Sequence, residues 1–415
     1  MNPRFENNVA TPPPGVRGWL NRDIVGMTLT SLLSDACHEM VTVVLPGFLL
    51  ALGAPAAALG YIEGAADAAS SFVKLGSGWY SDRVGRRKGT VTGSYVVTAG
   101  ALGLLALAVS WPMVLIFRVV SWMSRGVRSP LRSAMLADAV RPEARGKAFG
   151  LHRAGDTLGA VLGPLAGIWL LSVLPRVVPA APYRTIFLFS LVPGGLAVAA
   201  FAALVGDRRH PARHGLKLWH AVRGLPGAFG RFLRGVGVFG LGDFSHTMLI
   251  LAATVLLAPR YGTVRAVQWS ALLYVVHNVF YAGAAYPVGA LADRIHKPRL
   301  LAAGYVLAAA VAAATAWLMA RHLASLPLLA AVFAAAGVYI AVQDALEGAI
   351  PADLVPAPDR ATAYGVLGAV DGVGDFIASA LVGSLWTAFS PAWGFAAAAA
   401  LMLAGAATLA VNSSS

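Results

Sequence analysis

Charged residues and cysteine are scarce in this chain, and each shortage narrows the class of protein. Only 12% of the 415 residues are Asp, Glu, Lys or Arg, whereas soluble domains carry about 25%. Cys37 is the single cysteine, so an internal disulfide is excluded. The sequence also lacks a phosphate-binding loop, a zinc-protease helix and a nucleophile elbow. We therefore do not expect an enzyme.

Long apolar runs take the place of these features. Hydrophobic residues make up 58% of the sequence, and the mean hydropathy is +0.69. A run of about 20 apolar residues is long enough to cross the hydrocarbon core of a bilayer as a helix. Twelve such spans are predicted, at 24–52, 56–79, 90–110, 112–137, 147–172, 184–205, 232–258, 267–291, 299–320, 325–350, 361–387 and 389–411. The chain is therefore expected to be an all-α membrane protein.

The basic residues report the orientation in the membrane. The formal net charge is +13, which by itself could suggest a nucleic-acid partner. With both termini in the cytoplasm, however, the outer side carries few basic residues: Arg176, Arg184, Arg260, Arg265 and Arg321. An excess of Lys and Arg in cytoplasmic loops is the usual determinant of orientation. We expect a multi-pass protein of the inner (plasma) membrane with cytoplasmic termini and no nucleic-acid partner.

The two halves of the chain repeat one another. ADAVRPEARGKAFG at 137–150 recurs as ADLVPAPDRATAYG at 352–365, and a long polar connection lies between the two copies. Internal repeats of this kind are typical of transporters that bind their substrate near the middle of the membrane. The predicted units are an N-terminal six-helix bundle at 1–205, a basic cytoplasmic linker at 206–231 and a C-terminal six-helix bundle at 232–415.

One loop motif carries a resemblance to a known family. Between spans 2 and 3 the sequence contains a complete Gly-x-x-x-Asp-Arg-x-Gly-Arg-Arg motif, formed by Gly78, Asp82, Arg83, Gly85, Arg86 and Arg87. The motif and the repeats resemble the major facilitator superfamily over the whole chain. The resemblance implies two pseudo-symmetric six-helix bundles that move a small molecule or ion by alternating access. It also implies a monomer in membrane lipid that needs no cofactor besides an ion gradient, here a proton gradient.

A second motif bears on the direction of transport. GDTLGAVLGPLAG at 155–167 in span 5 is similar to the Gly-x-x-x-Gly-Pro-x-x-Gly-Gly motif that the family associates with proton-coupled export, although Ile168 replaces the last glycine. The same small residues form a stripe that would let two helices pack closely. Export and plain helix packing both remain interpretations of this stretch. The overall pattern is nearest to poorly characterised prokaryotic permeases and proton-coupled exporters.

Ionisable residues inside the predicted spans are the candidate site. Such groups cost a few kcal/mol each in hydrocarbon, so they must face a water-filled cavity or pair with one another. SDACHEM at 34–40 recurs as GDFSHTM at 242–248, which aligns Asp35 with Asp243 and His38 with His246. The predicted cavity residues are Asp35, His38, Glu39, Glu63, Asp67, Arg118, Arg125, Asp243, His246, His277, Asn278 and Tyr281.

Three interpretations of this cluster stay open. In the first, Asp35 or Glu39 carries a proton, and protonation and substrate binding exclude each other. In the second, Asp35, His38, Asp243 and His246 bind a divalent transition metal such as iron or nickel, because imidazole and carboxylate suit such ions. In the third, the acids are buried polar links that fix helix packing or bond a broken helix end.

A gate on the cytoplasmic side is also expected. Arg128 and Arg132 lie near the cytoplasmic end of span 4, and Asp344 and Glu347 lie near the same end of span 10. The family brings these spans together when the cytoplasmic side closes, which implies that the two arginines meet the two acids. The alternative is that the arginines act within their own half, toward Asp82.

Overall fold

The structure is a computed structural model, and it describes residues 19–84, 87–141, 144–174, 178–207, 225–292, 294–356 and 360–413. Nearly all of these residues are helical, and the described part of the chain contains no strand. The prediction of an all-α membrane protein is confirmed.

Within the described residues, thirteen α-helices form the twelve predicted spans, since span 7 consists of two helices. In chain order they are α1 (Arg22–Ala51), α2 (Ala56–Val84), α3 (Lys88–Leu104, continued by a 3-10 turn at Leu105–Leu107), α4 (Trp111–Asp138), α5 (Arg145–Val173), α6 (Ala181–Leu204), α7 (Gly227–Gly240), α8 (His246–Tyr261), α9 (Thr263–Ala292), α10 (Lys297–Ala320), α11 (Leu326–Leu354), α12 (Arg360–Ala388) and α13 (Pro391–Ser413).

Two details differ from the sequence prediction. Span 7 starts at Gly227 rather than 232 and is interrupted between Gly240 and His246. Nine of the described helices are long and apolar enough to cross a membrane by length and composition alone. α2 and α4 are not among these nine, and both carry several charges (Glu63, Asp67 and Lys74; Arg118, Arg125, Arg128 and Arg132). Those charges must therefore be accommodated inside the bundle.

Helix packing repeats between the two halves. In the N-terminal half α1 packs on α5 and α6, α2 packs on α4, and α3 packs on α4 and α6. In the C-terminal half the counterparts meet in the same way: α7 packs on α12 and α13, α9 on α11, and α10 on α11 and α13. The sequence repeat is thus also a repeat of contacts.

Contacts near the helix ends define two sides of the bundle. Asn21 donates to the Ala139 carbonyl at 2.8 Å, and Lys88 donates to the Ala202 carbonyl at 2.8 Å. The start of α1 therefore lies beside the end of α4, and the start of α3 lies beside the end of α6. We name this the terminus side and the opposite one the far side.

The glycine motif of α5 packs directly against α1. A Cβ at Gly155 would lie 2.8 Å from the Thr28 carbonyl oxygen, and one at Gly163 would lie 2.5 Å from the Ala36 carbonyl oxygen. Real Cβ atoms do not approach that closely, so only glycine allows this contact. The helix-packing interpretation of the motif is therefore sufficient to explain its glycines.

The halves meet along two seams and are sealed on the far side. One seam joins α2 to α12, where Tyr61 and Ser384 share a hydrogen bond of 2.8 Å. The other joins α5 to α9, where Asn278 donates to the Ala160 carbonyl at 2.9 Å. Between the seams, apolar side chains of both halves leave only a small, partly open cavity of about 90 Å³ lined by Pro46, Leu49, Leu50, Ala54, Pro55, Ala56, Leu59, Leu251, Val255 and Trp386.

The terminus side is more open. Four glycines near that end of α2, α5, α11 and α12 leave room for a Cβ, which would have no atom of another helix within 4 Å: Gly76, Gly150, Gly348 and Gly368. On the far side, by contrast, a Cβ at Gly47 of α1 would lie 2.6 Å from Val267 of α9. The side chains of Arg153 and Asp344, near the terminus-side ends of α5 and α11, are 61% and 56% exposed although they lie between the halves. The space between the halves therefore opens toward the terminus side.

Gly337 tests the packing of the C-terminal half. It allows α11 to lie against α9, since a Cβ there would clash with the His277 carbonyl oxygen. We expect Gly337→Ala to destabilise the protein by about 1–3 kcal/mol, the usual cost of overpacking, and to lower the melting midpoint in detergent. Gly283→Ala, with no atom within 4 Å of the new Cβ, is the matched control. Equal midpoints for the two variants would contradict the packing.

Candidate functional site

A buried ion pair connects α2 and α4 in the N-terminal half. Arg118 donates from Nε to Glu63 Oε1 at 2.9 Å and from Nη2 to Glu63 Oε2 at 3.0 Å. The two side chains are 0% and 1% exposed, and Nη2 also reaches the Thr42 hydroxyl at 3.1 Å. Two parallel bonds to an aligned carboxylate are the strongest arrangement available to arginine. The pair satisfies two charges that neither helix could carry alone.

A second ion pair lies toward the middle of the bundle. Arg125 donates from Nη1 to Asp35 Oδ1 at 2.9 Å, and these side chains are 25% and 15% exposed. Trp122 lies between Arg118 and Arg125. Its ring centre is 5.8 Å from the guanidinium carbon of Arg118 and 5.4 Å from that of Arg125. The partial exposure of the Asp35 pair distinguishes it from the sealed Glu63 pair.

His38 and Glu39 are adjacent to these pairs on α1. The His38 ring meets Trp122 edge to face at 5.0 Å, and His38 Nδ1 is buried without a hydrogen-bond partner among the described residues. Glu39 Oε2 is also buried without a hydrogen-bond partner among the described residues. Buried polar atoms without partners are uncommon and call for an explanation such as water, a proton or a ligand.

Three rings of the C-terminal half are stacked next to this cluster. Tyr274 of α9 lies between His246 and His277, at centroid distances of 4.9 and 5.4 Å. The Tyr274 hydroxyl is 3.2 Å from His246 Nε2 and lies beside the Glu39 carboxyl across the boundary between the halves. His277 Nδ1 is 3.2 Å from the Asn278 amide oxygen. The structure thus brings together Glu39, His246 and His277, three of the residues that were predicted to line the cavity.

Asp243 lies in the break between α7 and α8. Gln343 of α11 donates to it at 2.8 Å, and Tyr339 of the same helix approaches at 3.5 Å. The backbone of the break is bonded separately, because the Ser245 amide donates to the Ser379 hydroxyl at 3.0 Å. Asp243 is therefore held by uncharged donors, unlike its repeat partner Asp35.

The four residues proposed as metal ligands do not converge on one point. His38 packs on Trp122, His246 stacks on Tyr274, and Asp243 is bonded to Gln343. Among the described residues, no three His, Cys, Asp or Glu side chains are arranged so that they could hold a metal ion. The interpretation of Asp35, His38, Asp243 and His246 as ligands of one metal has no support in this geometry.

The gate arginines are engaged within their own half. Arg128 donates to the Thr98 hydroxyl at 2.6 Å and to the Ser34 hydroxyl at 3.0 Å. Arg132 donates to the Ser31 hydroxyl at 3.0 Å and to the Tyr95 hydroxyl at 3.3 Å. The expected pairing with Asp344 and Glu347 is absent from the described contacts, which fits halves that are apart on this side.

The acids of the expected gate have other partners. Glu347 accepts a 2.6 Å bond from the Tyr305 hydroxyl. Asp344 accepts a 2.6 Å bond from the Tyr281 hydroxyl and lies 3.6 Å from Arg153 of α5, which also donates to Tyr281. Arg153 therefore makes the ionic contact between the halves that was expected of Arg128 and Arg132.

The loop motif is described only in part. Gly85 and Arg86 lie outside the described residues, and so do the surroundings of Gly78 and the side chains of Asp82 and Arg83. Arg87 forms a 3.0 Å ion pair with Asp138 at the end of α4. This contact ties the start of α3 to α4 on the terminus side.

Charge is divided unequally between the walls of the bundle. The N-terminal half contributes the four arginines of α4. In the C-terminal half the intramembrane ionisable residues besides histidine are all acids: Asp243, Asp344, Glu347, Asp371 and Asp375. The described basic residues of that half lie within about two turns of a helix end, from Arg231 to Arg360. The C-terminal wall of the space between the halves is thus acidic, whereas the N-terminal wall combines arginines with acids such as Asp35 and Glu39.

Sequence reasoning overlooked the hydroxyl groups that hold these charges. Tyr95, Tyr305, Tyr339 and Ser31 each bond a candidate site residue. The repeat contains a signal for one further partner, the Gln343 amide, which donates to Asp243: the offset of 215 that aligns Arg132 with Glu347 also aligns Arg128 with Gln343. A complete alignment of the two halves would have found Gln343.

Comparison with known proteins identifies the family. Residues 27–264 and 236–413 match the model described as Major Facilitator Superfamily. An uncharacterised MFS-type transporter of Methanocaldococcus jannaschii is 29% identical over 88% of this chain and 89% of its own length. A multidrug resistance protein B homolog of Mycobacterium tuberculosis is 32% identical over 48% of this chain and 37% of its own length.

Solved structures share the fold at low sequence identity. A bacterial homolog of the human lysosomal transporter Spinster, in an inward-facing and unoccupied conformation, covers 94% of this chain and 95% of its own at a TM-score of 0.67 and 18% identity. A D-xylose–proton symporter covers 93% of this chain and 97% of its own at a TM-score of 0.73 and 15% identity. At such identities the likeness concerns the fold alone.

The Arg118–Glu63 pair gives a prediction for stability. Glu63→Gln leaves a buried guanidinium without its counter-charge, so we expect a cost of about 3–5 kcal/mol and a lower melting midpoint in detergent. Replacing both residues, as Glu63→Gln with Arg118→Gln, should restore part of the loss. Asp353→Asn is the control, because it removes a 57% exposed carboxylate from a surface pair with Lys297 and should cost about 0–1 kcal/mol. Equal midpoints for Glu63→Gln and Asp353→Asn would contradict the account.

Proposed function

The chain belongs to the major facilitator superfamily and is a multi-pass membrane transporter, and we propose that it exports a small organic molecule in exchange for protons. The proposal places the protein in the inner (plasma) membrane as a monomer with both termini in the cytoplasm. The terminus side is then the cytoplasmic side, and the conformation described above is open to the cytoplasm.

The observation that carries the proposal is the pair of neighbouring carboxylates on α1. Asp35 is bonded to Arg125 and is partly exposed, whereas Glu39 has a buried oxygen without a partner. A proton on either carboxylate would weaken its interaction with arginine, because the charge-assisted bond becomes a neutral one. Protonation and the Arg125 contact can therefore compete, which is the chemistry that proton coupling needs.

The acidic wall adds a carrier for the same chemistry. Asp243 is more than 90% buried, and its hydrogen-bond partners are the uncharged Gln343 and Tyr339. Leaving a buried carboxylate ionised without a counter-charge is expensive, so taking up a proton is the cheaper solution. A proton route from Asp35 and Glu39 toward this wall would pass through groups already close together.

Two further facts support an organic substrate. Relatives carry the name multidrug resistance protein, among them one from Mycobacterium tuberculosis and one from Cronobacter sakazakii that is 33% identical over 124 residues. The candidate site also offers aromatic and imidazole rings, from Trp122 and His38 on one side and Tyr274 on the other. Such rings bind flat organic molecules well.

In the proposed cycle the two sides open in turn. Closing the cytoplasmic side would bring Arg128 and Arg132 toward Asp344 and Glu347, and the apolar seal around Leu49 and Leu251 would part. The charges that line the cavity then remain between the two seals in both states, and they need not face lipid.

Proton coupling can be tested after a compound has been identified by thermal shift, using drugs, metabolites and metal ions at two pH values. In proteoliposomes holding a pH-sensitive dye, addition of that compound should drive proton movement with wild-type protein. We expect Asp35→Asn to abolish the proton signal while substrate binding persists, because one competing carboxylate is lost.

The control is Asp353→Asn, whose exposed carboxylate lies outside the site and should leave the proton signal unchanged. Full coupling in Asp35→Asn, Glu39→Gln and Asp243→Asn alike would rule out proton coupling through this cluster. A thermal shift caused only by metal ions would instead refute the organic substrate.

A further inference from the structure

Each half holds one charged residue of its fourth span by a tyrosine of its third span. In the N-terminal half Arg132 of α4 donates to the Tyr95 hydroxyl of α3 at 3.3 Å. In the C-terminal half the Tyr305 hydroxyl of α10 donates to Glu347 of α11 at 2.6 Å. Both tyrosines are almost fully buried, at 2% and 1% exposure. The arrangement is the same in the two halves, but the sign of the charge is reversed.

These four residues also occupy matching depths. Arg132 and Glu347 are related by the repeat offset of 215, and each lies about two turns before the terminus-side end of its helix. Tyr95 and Tyr305 each lie about two turns after the terminus-side start of theirs. The pseudo-symmetry therefore places a positive group and a negative group at equivalent positions in the two halves, near the open side.

Tyrosine is the side chain that permits this reversal. A phenolic hydroxyl can accept a bond from a guanidinium or donate one to a carboxylate without any change of position. Neutral hydroxyls compensate a charge poorly, however, and an opposite charge in direct contact compensates it better. Arg132 Nε is buried without a partner among the described residues, and the guanidinium is bonded to the Ser31 and Tyr95 hydroxyls. Ser31 in turn donates to Asp156, so Arg132 reaches that carboxylate only through a hydroxyl.

The other two candidates for the gate are occupied. Arg128 is 2% exposed, bonds Thr98 and Ser34, and lies over the Tyr95 ring at 4.4 Å. Asp344 is already connected across the halves through Tyr281 and Arg153. Arg132, in contrast to Arg128, is only partly buried and can extend into the space between the halves, so Arg132 and Glu347 remain as the pair that can meet.

We propose that Tyr95 and Tyr305 are positioning residues that hold Arg132 and Glu347 apart in the open state, and that the two charges exchange these tyrosines for one another when the terminus side closes. The inference rests on the alternating access of the proposed function. It reduces the expected gate from four residues to the single ion pair of Arg132 and Glu347. It also adds two tyrosines that bond these two residues while the terminus side is open.

A charge exchange tests the pair. Since tyrosine can serve either sign of charge, Arg132→Glu combined with Glu347→Arg should remain satisfied in the open state and still pair in the closed one. We expect each single reversal to reduce transport at least about tenfold and the double variant to recover most of that loss. A folded double variant that is as slow as the single reversals would overturn the proposal.

A second measurement needs no substrate. In a Cys37→Ser background, Gly76→Cys places a thiol in open space on the terminus side of α2. Its rate of reaction with a charged methanethiosulfonate reagent in inside-out vesicles reports how often that side is open. Tyr95→Phe and Tyr305→Phe should each slow this labelling severalfold, because the open state loses a bond that the closed state does not use.

The control for labelling is Tyr286→Phe, whose side chain is on α9 and 84% exposed; its labelling rate should equal the parental rate. Parental labelling rates in both Tyr95→Phe and Tyr305→Phe would overturn the proposal, whatever the transport assay gives. Labelling that slows as expected in a protein that moves no protons would uphold the gate and count against proton coupling alone.

Discussion

The cost of charge in hydrocarbon is the constraint on which the rest of this structure depends. Arg118 and Glu63 meet it by pairing in a fully buried contact, whereas Asp35 and Arg125 meet it by pairing beside an opening. The first solution fixes α2 against α4, and the second leaves an ion pair that water, a proton or a substrate can reach. Glycines of α5 also let α1 pack closely beside it, and a Cβ at Gly159 would lie 3.0 Å from the Asp35 Cβ. Packing and chemistry in the N-terminal half are thus parts of one arrangement.

Duplication explains how the second half could acquire the opposite character without a new fold. The same helix contacts recur, and the position of Arg132 is taken by Glu347 while a tyrosine is kept beside each. Because a hydroxyl accepts as readily as it donates, the change of sign required no change in the support. The result is a basic group and an acidic group at equivalent positions in the two halves. Their attraction favours closure of the terminus side when no water or solute separates them.

Much of this could be predicted from the sequence, and the remainder fails for identifiable reasons. Span positions follow from hydropathy. The repeat of Asp35 and His38 as Asp243 and His246 follows from comparing the sequences of the two halves. The break before His246 could not be predicted from the sequence, since Gly240, Gly242 and Ser245 fit a continuous helix as well as a broken one. Pairing within the site was also beyond reach: Arg153 reaches Asp344 only because α5 and α9 form a seam. Which charges meet depends on that three-dimensional register, and on the conformation of the two halves.

The central claim is that the intramembrane charges line one aqueous space that opens on the terminus side and is sealed on the far side. Side-specific thiol labelling measures this most directly. In the Cys37→Ser background, Asp371→Cys should react with a membrane-impermeant reagent applied to the terminus side and stay protected from reagent applied to the far side, while Leu251→Cys in the apolar seal should be protected from both. Faster reaction of Asp371→Cys from the far side, or protection of it from both sides, would contradict the account.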